Sequence, residues 1–298
     1  MYLRIVYDIL ISAFMQSYRT VFSIVIVIIF SKLNLQRETA EEDVAIVLGN
    51  GPSLSSDIDK IVEFFGGKSC AFWCVNSFFE SSYFERVRPK HYVLVDHAYW
   101  DNTSDWAQQL CQDTAKGLND RTKWKMCLHI PFEARHSPLI RGIQNRYVTI
   151  SFFNRTPIDG FRWFRHLLFD VNLGIPYAFN VVNTALFLAI RSGTRSIYVA
   201  GADHSWHESL IVDKNNNLLV TQEHFFDGQQ AAPQPVFKSR AHDAFSIGEL
   251  FIRWGNVFLG YRVVKEYADR KKASILNIGS KTYIDALPRR HLSELGNE

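Results

Sequence analysis

From residue 40 onward the chain alternates short apolar runs with longer stretches of helical periodicity, and no other feature limits its fold as much. The runs 44–48, 70–75, 91–95, 125–130, 147–152, 196–200 and 274–278 are each apolar and bounded by polar or turn residues, the pattern of buried strands. Between them 55–65, 104–116, 160–172, 182–192 and 243–271 read as helices. In the last of these Ile247, Leu250, Trp254, Phe258, Tyr261 and Val264 recur at helical spacing and mark a face packed on a sheet. Strands that alternate with helices predict an α/β fold: a Rossmann-like, mostly parallel sheet with helices on both faces. At 298 residues and 47% apolar content the chain can bury a core of that size, and one domain is expected over 39–298. No internal repeat or low-complexity segment appears. The polar run 213–217 reads as a turn, and "AAPQP" at 231–235 as a loop.

Charge and cysteine usage exclude several classes. The 33 basic and 30 acidic residues are spread along the chain for a net +3, with no basic stripe of the kind that binds nucleic acid. Cys70, Cys74, Cys111 and Cys127 form no C-x-x-C pair and no zinc spacing, which suits a reducing compartment and buried thiols.

The first 38 residues differ in kind. The apolar stretch 9–30 is interrupted at 16–19 by Gln16, Ser17, Tyr18 and Arg19, so its last unbroken run, 21–30, is half the ~20 residues of a spanning helix. No small-residue cleavage site follows it. A helix or helical pair lying in a membrane interface is expected over 1–38, with Arg4, Arg19, Lys32 and Arg37 toward anionic headgroups. Packing of this segment on a partner subunit is the alternative.

The first strand runs into "VLGNGPSL", a turn in which Asn50 stands between Gly49 and Gly51 with Ser53 shortly after. In open α/β sheets ligands collect beyond the carboxyl ends of the strands, and a glycine-rich turn there admits a phosphate or nucleotide close to the backbone. The third glycine of a dinucleotide fingerprint is missing, and there is no GK[ST] phosphate loop, so a nicotinamide cofactor is not supported. The next strands end on "WCVNSFF" and "YVLVDHAYW", which place Asn76 and Asp96 at the same edge. The sixth ends on "SIYVAGADHSWHE", with Asp203, His204 and His207 following Gly201. Together these form a polar rim suited to a ligand. Each has a plain structural reading as well: Asp96 as a helix cap, Asp203 as a holder of loop backbone.

The stretches "VLGNGPSL", "VNSFF", "NVVNTALFLAIRSGTRSIYVAGADHSW" and the late "RAH" resemble the bacterial sialyltransferases of glycosyltransferase family 42 and the related MAF and MptE-like proteins, over residues 44–290. The resemblance implies a single-domain GT-A-like variant of the Rossmann-like fold, with a lid at about 207–242 and an inverting transfer that needs no metal. It implies that Asn50 and Asn76 contact the nucleotide of a CMP-type donor, and that Asn180, Asn183 and Thr184 face its sugar or phosphate. It also makes His242 the general base, a task for which an imidazole is suited at neutral pH. Lys238 and Arg240 stand ready to neutralise the departing phosphate. Asp203 and His204 complete the expected catalytic set. The expected donor site comprises Gly49, Asn50, Gly51, Ser53, Asn76, Asp96, Asn180, Asn183, Thr184 and Arg240.

Two departures bear on the substrate. His204, Ser205 and Trp206 stand where the sialyltransferases have phosphate-holding tyrosines, and Asp96 replaces an asparagine. Kdo, another nonulosonate or a diphosphate-activated sugar therefore stays open as donor. A diphosphate with magnesium between Asp96 and Asp203, for a phosphoribosyl donor or an MptE-like pyrophosphokinase, is the alternative chemistry. His204 and His207 form a weak H-x-x-H pattern for zinc. The rings Phe152, Phe153, Phe161, Trp163 and Phe164, interleaved with Arg155, Arg162 and Arg165, mark a candidate contact with an anionic or lipid acceptor. The expected partners are thus a nucleotide-sugar donor, a polysaccharide or lipid-linked acceptor and, through residues 1–35, the cytoplasmic face of the inner membrane. A homo-oligomer and a non-catalytic scaffold both stay open.

Overall fold

The computed structural model describes residues 2–36, 39–101, 104–176, 180–221, 224–226, 232–238 and 243–297. Seven strands form the central sheet: β1 (Val44–Leu48), β2 (Ala71–Val75), β3 (His91–Val93), β4 (Met126–Pro131), β5 (Val148–Phe153), β6 (Ser196–Ala200) and β7 (Ser274–Asn277). They lie in the order β7-β6-β1-β2-β3-β4-β5 and every pairing is parallel. The chain builds outward from β1 to β5, then returns to the other side of β1 with β6. That reversal puts the topological switch point between β1 and β6, where open α/β sheets leave a crevice at their carboxyl edge.

Six main helices accompany the sheet: α1 (Tyr2–Phe30), α2 (Leu54–Phe65), α3 (Asp105–Arg121), α4 (Arg162–Asp170), α5 (Val181–Ser192) and α6 (Ile247–Lys271). Alternation along β1 sends Ala45 and Val47 into the layer of α5 and α6, and Ile46 and Leu48 into the layer of α2 and α3. Both faces are thus covered, which is why the strands read as unbroken apolar runs. All of α5 from Val182 to Ser192 is buried. It starts on Asn180, whose side chain accepts from the Val182 N–H, and stops at Gly193, whose φ of 108° only glycine adopts freely. A capping box of Ser246 and Glu249 opens α6 later than the expected 243.

At the N-terminus a single helix runs through the polar residues 16–19, the first of the two expected forms. Polar residues that follow this stretch form the docking face, with Arg19 beside them. Thr20 Oγ1 accepts from the Phe161 N–H, Ser23 Oγ donates to the Asp159 carbonyl and accepts from its N–H, and Ser31 Oγ donates to the Leu173 carbonyl. Gly160 lets the helix approach, since a Cβ there would meet Thr20 Oγ1 at 2.2 Å. The apolar side chains of α1, among them Ile9, Leu10 and Phe14, stay exposed. Of the headgroup-facing cations expected from the sequence, Arg19 instead pairs with Asp159 at 3.3 Å, and Arg37 lies outside the described residues.

Within the expected lid, Leu210–Val212, Leu218–Val220 and Gln234–Pro235 form a small antiparallel sheet. The Asp213 carboxylate accepts from the N–H groups of Asn215 and Asn217 and closes the turn that the polar run predicts.

Candidate functional site at the carboxyl edge of the sheet

The glycines of "GNGPS" are required by another turn. The Gly49 N–H donates to the Ala200 carbonyl at 2.9 Å and the Gly51 N–H to the Gly201 carbonyl at 2.7 Å, so the turn after β1 lies backbone on backbone against the turn after β6. A Cβ on Gly49 would sit 2.3 Å from the Gly201 oxygen, and one on Gly51 2.4 Å from Asp203 Oδ1. Side chains then lock the pair: Asp203 accepts from the Ser53 N–H at 2.9 Å and from the Ser53 hydroxyl at 2.6 Å. Burial pushes the Asp203 carboxyl above its usual range, and these two hydrogen bonds oppose the shift. The geometry gives Asp203 a positioning task, with its carboxylate committed to Ser53.

Two positions past the paired residues Leu48 and Cys74, Asn50 and Asn76 line the crevice. Asn50 donates through Nδ2 to the Val75 carbonyl at 3.2 Å, and its Oδ1 is buried with no partner among the described residues. Asn76 turns out of β2 in the left-handed region, φ 49°, which asparagine tolerates better than most residues. Its backbone carbonyl accepts from the Tyr92 hydroxyl, while its Oδ1 is also buried and unpartnered. An orphaned buried acceptor costs about 1–3 kcal/mol, so two at one crevice mark where a donor group belongs. Alongside, the Phe225 N–H donates to the Asn50 carbonyl at 3.1 Å, and the Phe225 ring packs against Phe78 and Tyr83. Residues 224–226 therefore lie beside the crevice, within the segment expected to form a lid.

The other expected residues take different places. Asp96 is exposed at the end of the third strand segment and accepts from the Ala98 N–H, capping a short turn. Asn180 caps α5, Thr184 Oγ1 donates back to the Asn180 carbonyl, and Asn183 Nδ2 donates to the Val257 carbonyl, tying α5 to α6. His204 is buried, stacks on Trp206 and shares a 2.7 Å hydrogen bond with the Tyr261 hydroxyl. Burial pulls its pKa down to about 3, so it stays neutral at physiological pH. His207 is exposed and meets the Tyr283 ring edge-on. His242 and Arg240 lie outside the described residues, and Lys238 pairs with Glu249 at 2.6 Å. In the aromatic segment Phe153 and Phe164 are core and Trp163 is exposed. Its arginines have acidic partners: Arg155 with Glu133, Arg165 with Asp159 and Glu266, and Arg162 with Glu266.

Tyr92, Gly201 and Phe225 join the crevice without having been expected there. Gly201 was legible in principle, because a glycine that ends a strand beside the switch point invites close backbone approach. Tyr92 and Phe225 carry no such signal.

No family model matches the chain, and no curated protein does. Among solved structures the chain is similar to the MAf glycosyltransferase from Magnetospirillum magneticum AMB-1, with a TM-score of 0.48 and 12% sequence identity over 88% of this chain. The match covers 35% of that chain, so this protein spans about a third of its length.

Proposed function

We propose that this protein is a glycosyltransferase that takes its sugar from a nucleotide-activated donor of the CMP type, bound across the ends of β1 and β2. The observation that carries this reading is the pair of buried, unpartnered amide oxygens of Asn50 and Asn76 beside Phe225. An amide oxygen only accepts, so the bound group must donate, as the amino edge of a nucleobase or a ribose hydroxyl does. The two turns that deliver these oxygens are the segments that resemble the family 42 and MAF-like enzymes. In this reading His242 removes the acceptor proton in an inverting displacement, and Arg240 faces the leaving phosphate. The commitment of Asp203 to Ser53 favours a metal-independent transfer, since that carboxylate is not offered to an ion.

Thermal-shift and calorimetric titrations of the full chain with CMP, CDP, UDP and phosphoribosyl diphosphate, with and without magnesium, test the assignment. CMP is expected to raise the unfolding midpoint without magnesium, and Asn50→Ala to weaken it about tenfold, the worth of one lost hydrogen bond of ~1.4 kcal/mol. Stabilisation only by a diphosphate with magnesium would overturn the CMP reading and favour the diphosphate transferase, with the exposed Asp96 as the ion's first partner.

The acceptor in this proposal is a lipid-linked glycan or surface polysaccharide met at the cytoplasmic face of the inner membrane. Support comes from α1, in which an 18-residue window within Arg4–Phe30 has a mean hydropathy of 1.7 and is only 6% buried. The part of α1 before its docked stretch at 20–31 covers about 27 Å at ~1.5 Å per residue, short of a ~30 Å hydrocarbon core. An interfacial seat follows, shared by the exposed Trp163 and Leu167 of α4 and by Val171, the residue that caps it, which recur four apart. Leu10→Asp with Phe14→Asp is expected to lower binding to anionic vesicles about a hundredfold, since each large apolar side chain contributes about 1.5–3 kcal/mol. Unchanged co-sedimentation, or a defined oligomer that hides α1, would point to a partner subunit instead.

A further inference from the structure

The sheet face turned toward α5 carries a second group of chemically able side chains that the crevice does not use. His91 opens β3, Cys127 is its in-register partner on β4, and His129 follows two residues later, so strand alternation brings all three to one face. His91 Nδ1 lies 2.9 Å from His129 Nε2, and with the Cys127 sulfur the three ligand atoms all fall within 4.8 Å of one another. Trp73, in register with His91 on β2, stacks on both imidazoles with centroids 4.0 and 5.0 Å away and fixes their planes.

We propose that His91, Cys127 and His129 bind a thiophilic divalent ion of the zinc class, which staples β3 to β4. The donor set selects the ion: two imidazole nitrogens and a thiolate suit zinc, whereas magnesium and calcium require oxygen ligands that this group lacks. Bonds of about 2.0 Å to nitrogen and 2.3 Å to sulfur place tetrahedral ligand atoms roughly 3.3–3.7 Å apart, so the imidazole pair opens by a few tenths of an ångström to admit the ion. His91 is only partly buried, which gives the ion a route in from solvent. The thiol loses its proton to solvent as the ion binds. His91 is at the amino end of its strand, away from the carboxyl edge that carries Asn50 and Asn76, so the staple is structural and stands apart from the proposed transfer.

The test uses the full chain, stripped with chelator and titrated with cobalt(II), then zinc(II). One equivalent of cobalt is expected to give strong tetrahedral d–d bands and a thiolate-to-cobalt charge-transfer band, both erased by one equivalent of zinc, with a rise of several degrees in the unfolding midpoint. Cys127→Ser should abolish the charge-transfer band, His91→Gln should weaken binding at least a hundredfold, and His207→Gln should change neither. Zinc-edge absorption of the wild type gives a readout without variants: one sulfur at about 2.3 Å and nitrogens at about 2.0 Å. An oxygen-and-nitrogen shell alone, no stoichiometric cobalt binding, or a charge-transfer band that survives in Cys127→Ser overturns the proposal.

Discussion

Taken from pH 7 to pH 4.5 in the presence of chelator, the protein is expected to lose about 5 kcal/mol of stability, a third or more of the ~5–15 kcal/mol that holds a folded domain together. The cause is its buried imidazoles. Burial lowers the pKa of His204 to about 3 and that of His91 to about 4, and depresses His129 as well. A histidine whose folded pKa lies below its unfolded value near 6.5 contributes stability that is complete above 6.5 and is lost as pH falls toward the folded pKa. Between 6.5 and 4 each such group costs about 1.4 kcal/mol per pH unit. His91 and His129 are in contact and are counted once. Asp203 works in the opposite sense, because its raised pKa makes the folded state slightly more favoured as pH falls, over a narrow window above 4. Urea unfolding followed by circular dichroism at pH 7, 6, 5 and 4.5 reads the slope directly. His204→Asn, which suits the left-handed φ of 53° at that position, should flatten the curve by one histidine's share. A stability that does not change across this range would show that these rings are hydrated or protonated in the native protein.

Gly51→Ala is the second large effect. The new Cβ has 2.4 Å to Asp203 Oδ1 and 2.7 Å to the Gly201 carbonyl oxygen, and both atoms are held by hydrogen bonds to the turn itself. Neither can yield without breaking the junction of the two turns, so a cost of about 3 kcal/mol and the loss of nucleotide binding are expected together. Gly67→Ala is the control: its φ of 78° strains an alanine, but nothing lies within 4 Å, so about 1 kcal/mol and intact binding are expected. Equal behaviour of the two variants would mean that the turn can shift as a unit and that close packing does not set its composition.

The seven strands and the parallel sheet were legible because a sheet covered on both faces leaves the same mark on every strand: a short apolar run between polar turns. The crevice was half legible. Asn50 and Asn76 were visible as polar residues at strand ends, a property of the backbone path. Whether a side chain at such an edge points into the crevice or away depends on tertiary neighbours. Asn183 and Thr184 are the example: α5 is buried on all sides, so its sequence has no polar face by which to tell which residues meet α6. Between one helix and a helical pair the N-terminal sequence did not choose, because Gln16 to Arg19 breaks the apolar run, and the contacts of Arg19 and Thr20 with Asp159 and Phe161 are set by the fold. His91, Cys127 and His129 escaped a search by spacing, since register between two strands, and no spacing along one, brings them together.

The clamp between Ser53 and Asp203 joins residues 150 apart in the chain. A ribosome adds roughly 5–20 residues per second, so the first turn waits roughly 8–30 s for the segment that holds it. Throughout that interval the β1 edge of the nascent sheet lacks its neighbour β6, and the crevice does not exist. A polypeptide halted between residues 153 and 196 therefore has five of the seven strands but no site. Occupancy of the crevice by a ligand would thus certify a chain made past Phe225, and a chaperone that shields the open β1 edge would be needed during synthesis more than afterwards.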